Sequence, residues 1–291
     1  MNANPDPPRF VVGIDGSVGS RYALDWAIEA ATFRHAPLEL VHAWRPMFRT
    51  DAGHGQTDAS IVSLAHSDSL LAAALGHAQV TAPSLAISGH LMEGRPSAVL
   101  LEAAAGGRVL VVGARGLGGY RDLQLGSVGL HAVVHSSGSV VIVRGQLRRK
   151  GPVVVGVDGS AGSALALSVA FEEASLRKCP LLIVWALYVH STEEGVPDYA
   201  RALAGLKAFA DDALHKFVAE ASQRHPDVAV EMSSPVGYPA EVLAKASVTG
   251  RLLVVGARGS GGFSGMRLGS IAHAVAHQSS SPVMVVRGAA P

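Results

Sequence analysis

One segment of this 291-residue chain occurs twice at a fixed separation. Val111 to Ser127 reads V-V-G-A-R-G-L-G-G-Y-R-D-L-Q-L-G-S, and Val254 to Ser270 reads V-V-G-A-R-G-S-G-G-F-S-G-M-R-L-G-S. Eleven of the seventeen positions are identical, at an offset of 143 (254 minus 111). The same offset relates Val12-Gly13-Ile14-Asp15-Gly16-Ser17 to Val155-Gly156-Val157-Asp158-Gly159-Ser160, and Val41-His42-Ala43 to Val184-Trp185-Ala186. It also relates Gly94-Arg95-Pro96 to Gly237-Tyr238-Pro239 and Val140–Arg144 to Val283–Arg287. Landmarks that stay in register over so much chain mean a tandem duplication of a unit of about 140 residues, an ordinary domain size. We expect domain 1 over 1–145, a linker over 146–151 and domain 2 over 152–291. The run Gly145-Gln146-Leu147-Arg148-Arg149-Lys150-Gly151 is charged and bracketed by glycines, which reads as a solvated linker rather than a partner-binding patch.

Each unit alternates β runs and helical stretches. Phe10–Ile14 and Val153–Val157 lead through Asp-Gly-Ser into Ala-rich helices near Ser20–Arg34 and Ser163–Lys178, with Ser17 and Ser160 as N-caps or turn residues. Second β runs at Leu38–Ala43 and Leu181–Ala186 precede helices near Ile61–Gln79 and Leu203–Arg224. Third runs follow at Leu85–Gly89 and Val228–Met232, then Pro-opened helices at Pro96–Ala105 and Pro239–Ser247. Fourth runs, Val109–Val112 and Leu252–Val255, enter the glycine segments, and last runs at Val140–Val143 and Val283–Val286 close the units. This order predicts an α/β fold with two tandem Rossmann-like domains, each a five-stranded parallel sheet with helices on both faces. Ligands in such sheets bind beyond the carboxyl ends of the strands, where the strand order reverses. Asp15, Ala43 and the Gly113 loop sit at such ends, as do Asp158, Ala186 and the Gly256 loop.

Composition excludes some partners. A formal net charge of +1 leaves no basic footprint for nucleic acid or an acidic membrane surface. Apolar runs are strand-sized, and the polar, proline-rich start has no signal-peptide pattern, so a cytoplasmic location is expected. The lone Cys179 allows no internal disulfide and reads as a small apolar residue at a helix end.

The glycine segments fit none of the common phosphate loops. They lack the lysine of a Walker loop. A dinucleotide fingerprint needs a third glycine where Arg121 and Ser264 stand, and it follows the first strand of its unit, not the fourth. Leu125 and Leu268 stand where a nucleophile elbow needs glycine, so Ser127 and Ser270 read as phosphate donors at a helix start. What remains is Gly-x-x-Gly, nine residues, Gly-Ser: Gly113, Gly116, Gly126, Ser127 and Gly256, Gly259, Gly269, Ser270.

That pattern resembles the ATP-binding branch of the universal stress protein family, an adenine nucleotide alpha hydrolase-like fold. The resemblance covers essentially the whole chain in two copies and includes the Asp-Gly-Ser, the Gly-x-Pro and the closing Pro282-to-Arg287 run. Tandem forms of this kind look most like actinobacterial, notably mycobacterial, members. The resemblance implies Ala43 and Ala186 facing the adenine beside Val41 and Val184, with Asp15 and Asp158 at the nucleotide directly or through a cation. It implies Gly113 and Gly256 near the ribose, and Gly116, Gly126, Ser127, Gly259, Gly269 and Ser270 at the triphosphate. Gly13, Arg115, Val128, Gly156, Arg258 and Ile271 complete the expected site. The two arginines touch phosphate or are solvated; both readings stand. ATP is the expected cofactor, with Mg²⁺ carried by the phosphates rather than by a protein cage. The resemblance further implies a nucleotide-dependent regulator in stress, hypoxia or dormancy responses, a homodimer and an unknown regulatory protein partner. The closing runs of the two units are expected to pair as edge strands.

Other readings remain beside this one: a slow ATPase or adenylate-transferring enzyme, and a nucleotide-free scaffold whose loops merely pack. The aspartates alternatively serve only as turn formers. Within the nine-residue stretches Arg121-Asp122 becomes Ser264-Gly265 and Gln124 becomes Arg267, so unequal affinities are expected. Ser139 stands where the second copy has Pro282, which should alter a turn rather than the site. The pairs His131/His135 and His273/His277 suggest metal, but lack the glutamate of a zincin and differ by 142 rather than 143; they read as surface or interface histidines.

Overall fold

The computed structural model describes residues 9–46, 58–117, 124–188, 199–261 and 266–288. Its contacts divide the chain into two units, the first ending at Leu147 and the second running from Arg148 to Gly288. Unit 1 holds β1 (Phe10–Gly13), α1 (Val18–Arg34), β2 (Leu38–Trp44), α2 (Asp58–Thr81), β3 (Ile87–Glu93), α3 (Pro96–Ala103), β4 (Val109–Gly113), α4 (Ser127–His135) and β5 (Val140–Val143). Unit 2 holds β6 (Val153–Gly156), α5 (Ala161–Arg177), β7 (Leu181–Val184), α6 (Tyr199–Arg224), β8 (Val230–Ser233), α7 (Pro239–Ser247), β9 (Leu252–Gly256), α8 (Ser270–Gln278) and β10 (Val283–Val286).

All strand pairs within a unit are parallel, as the alternating sequence requires. Unit 1 is ordered β3-β2-β1-β4-β5 and unit 2 β8-β7-β6-β9-β10. The chain moves outward from β1 to β3 and then returns to the other side of β1. Right-handed crossovers in opposite directions put helices on opposite faces, and α1 indeed packs with α2 while α3 packs with α4. Strands covered on both faces should be apolar throughout. Val11, Val12, Leu110, Val111, Val141 and Ile142 are buried accordingly, as are Val153, Val154, Leu253 and Val254.

Local chemistry sets the helix ends. Ser17 and Ser160 are the N-caps of α1 and α5, accepting from the N–H of Ser20 at 3.1 Å and of Ser163 at 3.2 Å. Both helices therefore begin earlier than their apolar pattern suggests. They end on His35 and Lys178 in the left-handed conformation, followed two residues later by Pro37 and Pro180, a combination that cannot continue a helix. The Ser139/Pro282 difference leaves the turn's ladder bond intact: Leu110 N–H donates to Ser139 at 3.0 Å and Leu253 N–H to Pro282 at 2.9 Å. The solvated reading of the basic run is corrected at one residue. Arg148 is half-buried and donates to the carbonyls of Val248 (2.7 Å), Ser280 (2.9 Å), Gly250 (3.3 Å) and Ser247 (3.4 Å), whereas Arg149 and Lys150 are exposed. Carbonyls at the end of α7 lack helical partners, and a guanidinium is suited to several at once.

Candidate functional site

The strand order reverses between β1 and β4 in unit 1 and between β6 and β9 in unit 2, and a cavity opens at the carboxyl ends of each pair. Its volume is about 570 Å³ in unit 1 and 510 Å³ in unit 2, within the range of small-molecule sites. Gly13, Asp15, Ala43, Gly113, Arg115, Gly116, Gly126, Ser127 and Val128 all line the first cavity. Gly156, Asp158, Ala186, Gly256, Arg258, Gly259, Gly269, Ser270 and Ile271 all line the second. The divergent residues 121, 122, 264 and 265 lie outside the described residues.

The floor is built by close backbone approach. A Cβ on Gly113 would stand 2.5 Å from the Gly19 carbonyl carbon, and one on Gly256 would stand 2.7 Å from that of Gly162. Gly19 and Gly162 in turn lie against the carbonyls of Arg115 and Arg258. The strand end, the first turn of the helix and the glycine loop thus interlock only without side chains. Gly19 and Gly162 were not singled out from the sequence, although they obey the offset of 143.

Asp15 and Asp158 are both turn formers and braces. Gly16 and Gly159 adopt φ of +80° and +77°, which glycine tolerates best, and let the chain reverse after the strand. Ser17 N–H donates to Asp15 Oδ1 at 2.9 Å, and Ser160 N–H and Oγ–H donate to Asp158 Oδ1 at 3.1 and 2.6 Å. The second oxygens accept from the glycine loops: Leu117 N–H at 3.1 Å and Ser260 N–H at 2.7 Å. Burial pushes the Asp158 carboxyl up, but the hydrogen bonds from Ser160, Ser260 and Ser163 outweigh it, and the net shift is downward. A carboxyl lowered on folding stabilises the fold above its unfolded value of about 3.9, and that contribution disappears as pH falls through the lower folded value. The amide resonance of Ser260 in NMR should therefore titrate with a midpoint below about 3.9, with unit 2 weakening over the same window; a midpoint at or above that value would mean the brace is not formed.

The loop returns to start α4 and α8 with bare termini. Gly126 and Gly269 are the N-caps and supply no side-chain bond, so first-turn N–H groups of these nine-residue helices face the cavity. Gly126 N–H donates to Ala114 and Gly269 N–H to Ala257, each at 2.8 Å, closing the loop below them. Arg144 and Arg287, not assigned a role from the sequence, hold it from behind: Arg144 donates to the Gln124 carbonyl at 3.1 Å and Arg287 to that of Arg267 at 2.7 Å. Burial, and then the charge of Arg115, push the Arg144 guanidinium down to about 10. Arg287 is lowered by burial and then by Arg258 and Arg267. Crowded guanidiniums beside free helix N–H groups make an environment that an anion relieves.

The opposite wall is where the units differ. Ala43 lies within β2, but β7 stops at Val184, short of the expected Ala186; Trp185 and Ala186 precede a single bridge, Leu187 to Val236. Trp185 lines the second cavity. Its counterpart His42 instead turns Nδ1 onto the Ile14 carbonyl at 2.6 Å. Ile14, Pro96 and Leu100, with Val157, Pro239 and Leu243, add apolar lining that the sequence did not mark. The histidine pairs lie away from the linings: ring centroids are 5.4 Å apart for His131/His135 and 4.7 Å for His273/His277. Among the described residues no helix is long and apolar enough to cross a membrane.

With this geometry in view, the family model described as "Universal stress protein family" matches residues 8–144 and again 151–287. The chain belongs to the universal stress protein family. A universal stress protein of Mycolicibacterium smegmatis is 30% identical, with 96% of each chain covered. Another, from Mycobacterium tuberculosis strain H37Rv, is 32% identical over 95% of this chain and 96% of its own. A crystal structure of a universal stress protein from Archaeoglobus fulgidus shares the fold, with a TM-score of 0.65 at 18% identity and coverage of 98% and 97%. The duplicated universal stress unit thus accounts for both cavities.

Proposed function

We propose that each unit binds ATP at its cavity and that the chain is a nucleotide-dependent regulator. The observation that carries this reading is the bare N-terminus of α4 and α8 facing the cavity beside Arg115 with Arg144, or Arg258 with Arg287. Phosphates would lie there, the ribose over the Gly113 or Gly256 end, and the base toward Ala43 or Ala186. Each lining has one described carboxylate, Asp15 or Asp158, with both oxygens already accepting N–H groups. That arrangement fits a Mg²⁺ held mainly by phosphate oxygens and water, where it would neutralise phosphate charge. Occupancy can regulate only by favouring one conformation over another, and a protein partner would read the difference. Family membership supports a role in stress, hypoxia or dormancy responses, acting as a cytoplasmic homodimer; binding with slow turnover fits a switch.

Chromatography of small molecules released on denaturation, with calorimetric titration of ATP, tests the reading. Adenine nucleotide in the released fraction and binding of ATP more tightly than AMP are expected. Neither nucleotide nor heat of binding would sink it. Gly116→Ala and Gly259→Ala place a methyl against Asp15 Oδ2 and Asp158 Oδ2. Since those oxygens brace the loop, each variant should weaken ATP binding in its own unit by about tenfold, close to one lost charge-assisted hydrogen bond. Phosphate release that persists in the double variant would count against turnover at these cavities.

A further inference from the structure

The two cavities share a floor and an anion end but not a mouth. In unit 1 Gly94 N–H donates to the Trp44 carbonyl at 2.9 Å, and in unit 2 Gly237 N–H donates to the Leu187 carbonyl at 3.0 Å. The positions obey the offset of 143, so the same backbone junction is built twice. The residues that follow the two bonded positions are Arg45 and Arg95 in unit 1 but Tyr188 and Tyr238 in unit 2. Both arginines are exposed, and neither side chain forms an ion pair or hydrogen bond with a described residue. Arg45 lines the first cavity. The tyrosines meet edge-on with ring centroids 5.8 Å apart, outside the second cavity's lining, to which Trp185 contributes the aromatic ring.

Position gives this exchange its chemical meaning. Arg45 follows β2, and the anion end follows β4, with β1 between them. Two strand spacings are about 10 Å. A nucleotide whose 5′-phosphates lie on α4 therefore brings its nucleoside, not those phosphates, to Arg45. Two guanidiniums at that end call for negative charge carried on the nucleoside itself, and a planar forked cation is suited to phosphate.

Resting on the nucleotide reading above, we infer that the unit 1 cavity selects nucleotides bearing a second phosphate on the ribose, while the unit 2 cavity takes nucleotides phosphorylated at the 5′ position alone. In unit 2 Trp185 offers the nucleoside aromatic contact, and the junction beside it carries tyrosines and no charge. The duplication has then produced two sensors of different ligands in one chain.

ADP and adenosine 3′,5′-bisphosphate test this, because they carry the same number of phosphates in different places. Both are titrated by calorimetry into the full chain and into full chains with one cavity blocked, by Gly259→Val or by Gly116→Val. The bisphosphate-to-ADP affinity ratio should be about tenfold higher for unit 1 than for unit 2, as charge-assisted contacts allow. R45Y/R95Y should lower the unit 1 ratio to that of unit 2, and Y188R/Y238R should raise the unit 2 ratio. Equal ratios in the two units, or a unit 1 ratio unchanged by R45Y/R95Y, would overturn the inference; the latter is also the result if Arg45 merely stacks on the base. Absence of binding by ADP, ATP and the bisphosphate alike would instead remove the nucleotide reading beneath it.

Discussion

Replacing Glu173 by alanine is expected to weaken unit 2 by about 3–5 kcal/mol, as breaking a buried ion pair from one side does. Glu173 and Arg177 lie one turn apart on α5, with Oε2 and Nη2 separated by 3.0 Å and both side chains 1% exposed. Alanine would leave a guanidinium buried without its carboxylate. The cost belongs to the stranded charge more than to the lost attraction, so Glu173→Leu with Arg177→Met should recover most of it. Position 30 of unit 1 is already alanine, and no equivalent loss is expected there. Urea denaturation followed by tryptophan fluorescence checks this, with the unit 2 transition assigned by Trp185→Phe. A loss under about 1 kcal/mol would show that water or rearrangement reaches the site.

Gly113→Ala should be nearly as severe, at about 3 kcal/mol, the upper end of overpacking costs. The new methyl would meet the Gly19 backbone, its carbonyl carbon at 2.5 Å and oxygen at 2.6 Å, where no rotamer change gives relief. The first turn of α1 would have to move, and Arg115 with it. Gly13→Ala makes the control for stability, because its methyl meets the flexible end of Leu100, with Cδ1 at 2.8 Å, and Val112 Cγ1 at an ordinary contact distance of 3.4 Å. It should cost about 1 kcal/mol. Equal effects of the two substitutions in thermal melts would mean that α1 is not locked to the strand end.

These two sites differ in how far the sequence reveals them. The repeat made Gly113 and its twin conspicuous, because backbone contact tolerates one residue type and duplication shows where that tolerance was kept. The α7 range, Pro239–Ser247, and both closing strands were legible for a related reason: proline opens the helix, and buried parallel strands are unbroken apolar runs rich in valine. The third strand of unit 1 was not. Leu85–Gly89 was expected and Ile87–Glu93 is found, because this outer strand alternates weakly in burial and takes its limits from pairing with β2, Leu38 to Ile87 through Trp44 to Glu93. Within the site, Asp15 and the loop glycines carry their meaning in local sequence. Arg144, Trp185 and Arg45 do not, since their roles depend on which neighbours the sheet order brings to them.

Arg148 has a practical consequence for cutting the chain. The second family match begins at residue 151, and a fragment started there would keep every strand and helix of unit 2. It would also discard the guanidinium that gathers the carbonyls of Ser247, Val248, Gly250 and Ser280. That fragment should fray at the end of α7, whereas one begun three residues earlier would carry its own clasp.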